Sequence, residues 1–131
     1  NDGTKIINYP KQHLENCTKK HQATNGYFKS MVRVLKNMRN KAVENTILEE
    51  GIAPSYFIEG LLYNAPNNLF GNGYGSTFVR TINWLEDAQR SEFLCANEVY
   101  LLLHPTSPVT WRAENCEAFI RAMCKLWNNW S

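Results

Sequence analysis

The segment from residue 27 to residue 45 constrains the fold most strongly, because its apolar residues recur at three- and four-residue intervals. These residues are Phe28, Met31, Val32, Leu35, Met38 and Ala42. An α-helix completes a turn in about 3.6 residues, so this spacing places all of them on one side of a helix. The pattern predicts a long amphipathic helix whose apolar face is buried in a compact domain.

Three further helices are predicted, at about 54–64, 76–90 and 111–130. Pro54 is expected at the first position of the first of these, and Pro66 forbids its continuation. Ser76 or Thr77 is expected to cap the second, and Thr110 the third. Four main helices with little sheet indicate a mostly α fold, a helical bundle.

Three segments do not share this helical pattern. Residues 5–9 are predicted as a short strand that Pro10 stops, a remnant of another lobe. Residues 11–25 are polar and are predicted as a linker or a short irregular helix. The apolar run 98–103 fits either a strand or a buried helical turn, and periodicity does not decide between them.

The composition indicates a soluble globular protein, since 44% of the 131 residues are hydrophobic and 20% are charged. No apolar run approaches the ~18 residues that a membrane span needs, and no secretory signal opens the chain. We therefore expect a cytoplasmic protein without a membrane partner. Because no initiator methionine is present, we expect a piece of a longer polypeptide, with a strand remnant and linker at 1–22 and a helical domain at 23–131.

Positive charge is concentrated in the first third of the chain. Residues 1–41 contain nine Lys or Arg against two acidic residues, whereas the remainder contains five against ten. This asymmetry points to an anionic ligand bound on one face. Lys29, Arg33 and Lys36 lie within about 60° of one another on the predicted long helix and border its apolar face. They form either a cleft wall or a solvated surface stripe.

The start of the helix after Pro54 is a second candidate for anion binding. The first turn of a helix has four unpaired N–H groups and the positive end of the helix dipole, which suit a phosphate. Ser55 adds a hydroxyl donor, and Tyr56 offers a flat face for a nucleotide base. The alternative interpretation is a helix cap followed by a core aromatic residue.

Several other chemistries are not supported. The glycine-rich stretch 71–76 lacks the Gly-Lys-Ser/Thr ending of a P-loop and is interpreted as a plain turn. Neither the cysteines nor the histidines have a metal-binding spacing, so no metal is expected on this chain. Two-metal nucleotidyl transfer needs paired aspartates, and aspartate occurs only at positions 2 and 87. We therefore expect no catalytic residue here.

Five runs along the chain resemble one protein family in their order and content. They are 8–16 (NYPKQHLEN), 23–26 (ATNG), 28–37 (FKSMVRVLKN), 51–59 (GIAPSYFIE) and 126–130 (LWNNW). Together they resemble the bacterial cGAS/DncV-like nucleotidyltransferases, which join nucleoside triphosphates into cyclic oligonucleotide second messengers for antiphage signalling. The resemblance covers that family's C-terminal helical lobe, which closes over the donor nucleotide.

The resemblance implies roles for three of the candidate residues. Lys36 matches the lysine that reaches the donor triphosphate, Ser55 the serine that hydrogen-bonds phosphate, and Tyr56 the aromatic residue that stacks on the base. The implied ligands are nucleoside triphosphates such as ATP and GTP. The family's Mg²⁺ is held by acidic residues of an N-terminal lobe that has no counterpart here, so the resemblance implies no cofactor on this chain alone.

The resemblance also bears on activity and partners. It implies that a longer parent is a nucleotidyltransferase and leaves the activity of this chain alone undecided. The expected partners are the missing N-terminal lobe and regulatory proteins, whereas nucleic acid is not expected. Two alternatives stay open, a non-catalytic basic module that binds nucleic acid and a domain that docks on a protein partner.

Overall fold

The computed structural model describes residues 10–94, 102–103 and 111–130, and most of them are helical. The five α-helices are α1 (Pro10–Ala23), α2 (Tyr27–Glu44), α3 (Ser55–Tyr63), α4 (Tyr74–Asp87) and α5 (Ala113–Trp130). Two 3₁₀ turns, Asn67–Leu69 and Arg90–Glu92, flank α4. Within these ranges no strand is present, and one isolated bridge pairs Leu103 with Trp111. The mostly α fold class is confirmed.

Helix α2 is the centre of the bundle, because it packs against each of the other four helices. Its buried residues are the six apolar residues whose spacing predicted the helix. Phe28, Met31 and Leu35 have no exposed surface. Burying an aliphatic or aromatic side chain stabilises a fold by roughly 1.5–3 kcal/mol. This face therefore holds the other helices in position around α2.

Helix α1 is a regular 14-residue helix, where the sequence predicted a linker or a short irregular helix. Its contribution to the core includes Cys17, 1% exposed, and Lys20, 9% exposed. The Lys20 ammonium donates hydrogen bonds to the backbone oxygen of Ala65 and to Oδ1 of Asn67, both at 2.6 Å. It also lies 5.2–5.9 Å from the ring centroids of Phe28, Tyr63 and Phe70. Apolar periodicity did not indicate this helix, because one of the residues that it buries is a lysine.

The turn between α1 and α2 fixes the angle at which they meet. Thr24 Oγ1 accepts a hydrogen bond from the Phe28 N–H at 3.0 Å and lies 2.8 Å from the Lys20 carbonyl oxygen. His21 Nδ1 accepts from the Lys29 N–H at 3.1 Å. Gly26 has a φ of 85°, a left-handed conformation that glycine adopts without steric cost. The turn therefore satisfies N–H groups at the start of α2.

The starts of the later helices differ from the predicted ones. Pro54 has extended backbone angles and precedes α3, which begins at Ser55. Helix α4 begins before Ser76 and Thr77, so neither residue caps it. Thr77 is buried, and its Oγ1 accepts a hydrogen bond from the Gly71 N–H at 2.9 Å. The hydroxyl of Thr77, in the first turn of α4, thus links the glycine-rich turn to this helix by a hydrogen bond.

Other predictions fall outside the described residues. These are the strand at 5–9, the cap at Thr110 and most of the apolar run 98–103, of which Leu102 and Leu103 are buried. The domain boundary between residues 22 and 23 stays a prediction. In the described part of the chain, no helix combines the length and the apolar character that crossing a membrane requires.

Candidate functional site

Ionisable side chains of α1 and α3 meet on one side of the bundle. His13 and Cys17 lie one turn apart on α1, and Glu59 lies on α3. His13 Nε2 is 2.8 Å from Glu59 Oε1, and Cys17 Sγ is 3.7 Å from His13 Nε2. We call these three residues the α1–α3 cluster. From the sequence, none of these three residues was predicted as a site residue.

The environment of Glu59 favours its charged form. The hydrogen bond from His13 holds the pKa of this carboxyl below its usual value, and the charges of His13, Lys36 and Lys29 act in the same direction. Burial acts in the opposite direction and is the smaller effect. Glu59 is therefore ionised at neutral pH, beside two lysines of the predicted basic row.

The environment of Cys17 favours its neutral form. Burial, followed by the charge of Glu59, raises the pKa of the thiol to about 12, although Lys29, Lys20 and Lys36 oppose the shift. A thiolate is the nucleophilic form of cysteine. Cys17 is therefore not a reactive cysteine in the metal-free protein.

Tyr56 lies next to the α1–α3 cluster and is half-buried. Its ring stacks on the His13 ring, with a centroid distance of 4.9 Å and an interplanar angle of 21°. Phe57 contacts it edge to face at 5.5 Å. One face of the Tyr56 ring is thus covered by a side chain of α1.

Ser55 is the first residue of α3, and its hydroxyl lies beside a guanidinium. Arg39 Nη1 of α2 donates to Ser55 Oγ and to the Ala53 carbonyl oxygen, both at 3.0 Å. A positive side chain therefore lies at the positive end of the α3 dipole, an arrangement that favours an anion. The sequence analysis missed Arg39 as a site residue, although its position three residues after Lys36 extends the basic row along α2.

The three residues of the predicted basic row do not share one environment. Lys29 is half-buried, and its ammonium lies 3.4 Å from Thr18 Oγ1. Lys36 is half-buried as well, and Arg33 is exposed. Since both lysines act on the pKa of Glu59, they lie on the side of α2 that faces the cluster. The row is neither wholly a cleft wall nor wholly a solvated stripe.

The α1–α3 cluster is also a group that could hold a metal ion. One ligand atom from each of His13, Cys17 and Glu59 lies within 4.8 Å of the other two. The sequence could have shown two of these three residues, because His13 and Cys17 have the i, i+4 spacing that places two ligands on one helix face. Glu59 follows His13 by 46 residues, and only the packing of α1 near α3 brings it there.

Comparison with protein families gives a match over most of the chain. Residues 15–128 match the cGAS/DncV-like nucleotidyltransferase C-terminal helical domain. The chain is 41% identical over 125 residues to the cyclic UMP-AMP synthase of Rhodothermus marinus, which covers 95% of this chain and 43% of that protein. It is 37% identical over 131 residues to the cyclic nucleotide synthase CdnE01 of Staphylococcus haemolyticus, covering 98% of this chain and 43% of that protein.

Solved structures give the same result for the fold. The structure of Rhodothermus marinus CdnE c-UMP-AMP synthase with Apcpp and Upnpp superposes with a TM-score of 0.90, at 41% identity, over 95% of this chain and 42% of that one. The Elizabethkingia meningoseptica CdnE cyclic dinucleotide synthase with GTP and Apcpp superposes with a TM-score of 0.76, at 29% identity, over 94% and 45%. The chain thus spans less than half the length of these relatives.

Proposed function

The chain belongs to the cGAS/DncV-like nucleotidyltransferases as their C-terminal helical domain, and from this premise we propose that it holds the donor nucleoside triphosphate in a synthase of cyclic oligonucleotides. Both superposed relatives are described with nucleotides or nucleotide analogues, which supports nucleoside triphosphates as the ligand class. The antiphage role of the parent enzyme is part of the same proposal.

The observation that carries the proposal is the amino end of α3. Ser55 begins the helix, Arg39 donates to its hydroxyl, and Lys36 lies one turn before Arg39 on α2. Helix N–H groups, a hydroxyl and two cationic side chains are the usual partners of phosphate oxygens. Each of these groups was either predicted from the sequence or lies next to a predicted one.

Each residue has a distinct role in the proposed complex. Lys36 and Arg39 neutralise the triphosphate, and Ser55 donates a hydrogen bond to a phosphate oxygen. Tyr56 stacks on the base, a contact worth about 1–3 kcal/mol, while His13 supports the opposite face of its ring. Lys29 and Arg33 add positive charge farther along α2. The lobe would contribute to nucleotidyl transfer by orientation and charge neutralisation.

The described residues do not fit the Mg²⁺ that the family resemblance implies. Magnesium prefers an octahedral set of hard oxygen ligands, usually one or two carboxylates with phosphates and water. In the described part of the chain, the group that could hold a metal has one carboxylate, one imidazole and one thiol. We therefore place magnesium binding in the part of the parent enzyme that this chain does not include.

Nucleotide affinity of single variants tests the proposal. We expect the chain to bind ATP or GTP weakly, and Lys36→Ala to weaken binding about 10- to 150-fold, since a hydrogen bond to a charged group contributes about 1.5–3 kcal/mol. Tyr56→Ala and Ser55→Ala should weaken it as well. Lys125→Ala removes an exposed lysine of α5 and is the matched control. Measured by isothermal titration calorimetry, its affinity for ATP should equal that of the unsubstituted chain.

The same titration separates the two alternatives. Equal affinity for ATP in the unsubstituted chain, Lys36→Ala and Tyr56→Ala would contradict the proposal and favour a domain that docks on a protein. Strong binding of DNA or RNA with a steep salt dependence, weakened by Lys29→Ala or Arg33→Ala, would instead favour a nucleic-acid module.

A further inference from the structure

We propose that His13, Cys17 and Glu59 form a zinc site that joins α1 to α3. The proposal rests on these three ligands alone and does not depend on nucleotide binding. It gives the chain a metal of its own, distinct from the magnesium expected in the rest of the parent enzyme.

The nitrogen–sulfur distance in the cluster is close to that of a zinc site, whereas the nitrogen–oxygen distance is that of a hydrogen bond. Zinc lies about 2.0–2.1 Å from histidine nitrogen, about 2.3 Å from cysteine sulfur and about 2.0–2.2 Å from carboxylate oxygen. Tetrahedral angles then separate nitrogen from sulfur by about 3.5 Å and nitrogen from oxygen by about 3.4 Å. The observed separations are 3.7 Å between Cys17 Sγ and His13 Nε2, and 2.8 Å between His13 Nε2 and Glu59 Oε1. A small rotation of the Glu59 side chain would admit the ion.

The ligand types select zinc over the common hard cations. Imidazole and thiolate suit zinc, whereas calcium and magnesium prefer sets of oxygen ligands. When zinc binds, the Cys17 thiol releases its proton to solvent, and the His13 ring carries its proton on Nδ1 so that Nε2 can coordinate. As a thiolate and a carboxylate, Cys17 and Glu59 then offset both charges of the divalent cation. The nearby positive charges of Lys29 and Lys36 disfavour a cation bound without such neutralisation. Beside these positive charges, a divalent cation is therefore expected to bind only when both Cys17 and Glu59 coordinate it as anions.

The helices hold the ligands in position before metal binds. His13 and Cys17 project from the same face of α1, and the stacking of His13 on Tyr56 fixes the plane of its ring. His13 Nδ1 is buried and has no hydrogen-bond partner among the described residues. The imidazole is thus held by its stacking on Tyr56 and by the contacts of Nε2, and coordination through Nε2 would fix it more firmly.

Three protein ligands leave one position of a tetrahedral zinc open to water or an anion. Because His13 also supports the ring of Tyr56, zinc would couple the junction of α1 and α3 to the proposed base-binding face. This consequence, unlike the site itself, rests on the proposed function.

The test uses the full chain, freed of metal by chelation and dialysis. Zinc titration by calorimetry should show one equivalent bound, and a thermal melt should show a higher midpoint with zinc than with EDTA. Cobalt(II) should give the intense visible bands of a tetrahedral ion and a near-ultraviolet charge-transfer band from the thiolate. Cys17→Ser should abolish that band, and Glu59→Gln or His13→Gln should weaken zinc binding at least tenfold.

Cys124→Ser is the matched control, because Cys124 also lies near a carboxylate, with Sγ 3.3 Å from Glu86 Oε2, but has no histidine in its group. It should bind zinc like the unsubstituted chain. Circular dichroism confirms that each variant is folded, and Cys17→Ser changes only one atom. Zinc binding that is equal in the unsubstituted chain, Cys17→Ser and Glu59→Gln would overturn the proposal, as would a melting midpoint that zinc does not change.

The outcome is separable from that of the proposed function. If Cys17→Ser loses zinc binding, the zinc site is supported. If Lys36→Ala binds nucleotide as tightly as the unsubstituted chain, the nucleotide site is contradicted, whatever the zinc result. Nucleotide binding that depends on Lys36, without any zinc binding, would support the nucleotide site and contradict the zinc site.

Discussion

Lys20 is a buried charged residue that affects the stability of this domain. Its ammonium lies among three aromatic rings and hydrogen-bonds Ala65 and Asn67. Burial lowers the pKa of Lys20 to about 8, from a usual 10.5. Burial removes the ammonium from water, and the hydrogen bonds and aromatic contacts offset only part of the cost of its charge. The residue therefore makes the stability of the domain depend on pH.

The sign of that dependence follows from the two pKa values. Between pH 8 and 10.5 the unfolded chain binds the Lys20 proton more tightly than the folded chain does, so the free energy of unfolding rises with pH. Burial raises the pKa of the Cys116 thiol to about 12. Because the unfolded thiol ionises first, this group, like the buried Cys17 thiol, lowers the free energy of unfolding as the pH rises through about 9. The effect of Lys20 is therefore best resolved between pH 8 and 9.

We predict that the free energy of unfolding of the unsubstituted chain, taken relative to that of Lys20→Met, rises by on the order of 1 kcal/mol between pH 8 and pH 9. Urea denaturation of both proteins at the two pH values measures it. Lys19→Met replaces the exposed neighbouring lysine and should retain the pH dependence of the unsubstituted chain. A parallel pH dependence in Lys20→Met and the unsubstituted chain would show that Lys20 is not buried as described.

The individual site residues differ in how far the sequence alone could identify them. Ser55 and Tyr56 were predicted because a proline marks the helix start and the resemblance assigns both a role. Arg39 was missed as a partner of Ser55, because the hydrogen bond depends on where α2 passes α3. Glu59 was missed for the same reason, since nothing in the local sequence places its carboxylate against His13.

The helices themselves were predicted in proportion to their apolar periodicity. Helix α2 follows from the spacing of its six buried residues, and the fold is built around it. Helix α1 was missed as a regular helix because its buried side chains include Asn16, Cys17 and Lys20, which no apolar pattern selects. Helix starts were displaced by one to three residues, because backbone geometry at Pro54 and in the glycine-rich turn sets them.

The turn between α1 and α2 should be sensitive to loss of one hydroxyl. Thr24 is 3% exposed and accepts the Phe28 N–H at the start of α2. Thr24→Val would leave that N–H without its partner, and we predict a loss of about 1–2 kcal/mol in the free energy of unfolding. Urea denaturation measures the loss.

Ser76→Ala removes an exposed hydroxyl in the first turn of α4 and should change the free energy of unfolding by less than about 0.5 kcal/mol. If Thr24→Val were as stable as Ser76→Ala, the hydroxyl of Thr24 would not be what joins the two helices.

At the scale of the whole molecule, the described bundle presents one face with a coherent chemical character. On it lie the amino end of α3, the cationic side chains of α2 and the α1–α3 cluster. Two surface grooves elsewhere, one beside Trp84 and Phe93 and one beside Phe78 and Trp127, contain none of these residues. This face therefore contains the residues of both proposed sites.

The central claim is that the amino end of α3 binds the triphosphate, and backbone NMR of the ¹⁵N-labelled chain tests it most directly. On titration with a non-hydrolysable ATP analogue, we expect the largest amide shift changes at Ser55 and Tyr56, the first two residues of α3. Largest changes at Phe78 and Trp127, with the amides of Ser55 and Tyr56 unmoved, would rule out phosphate binding at this helix start.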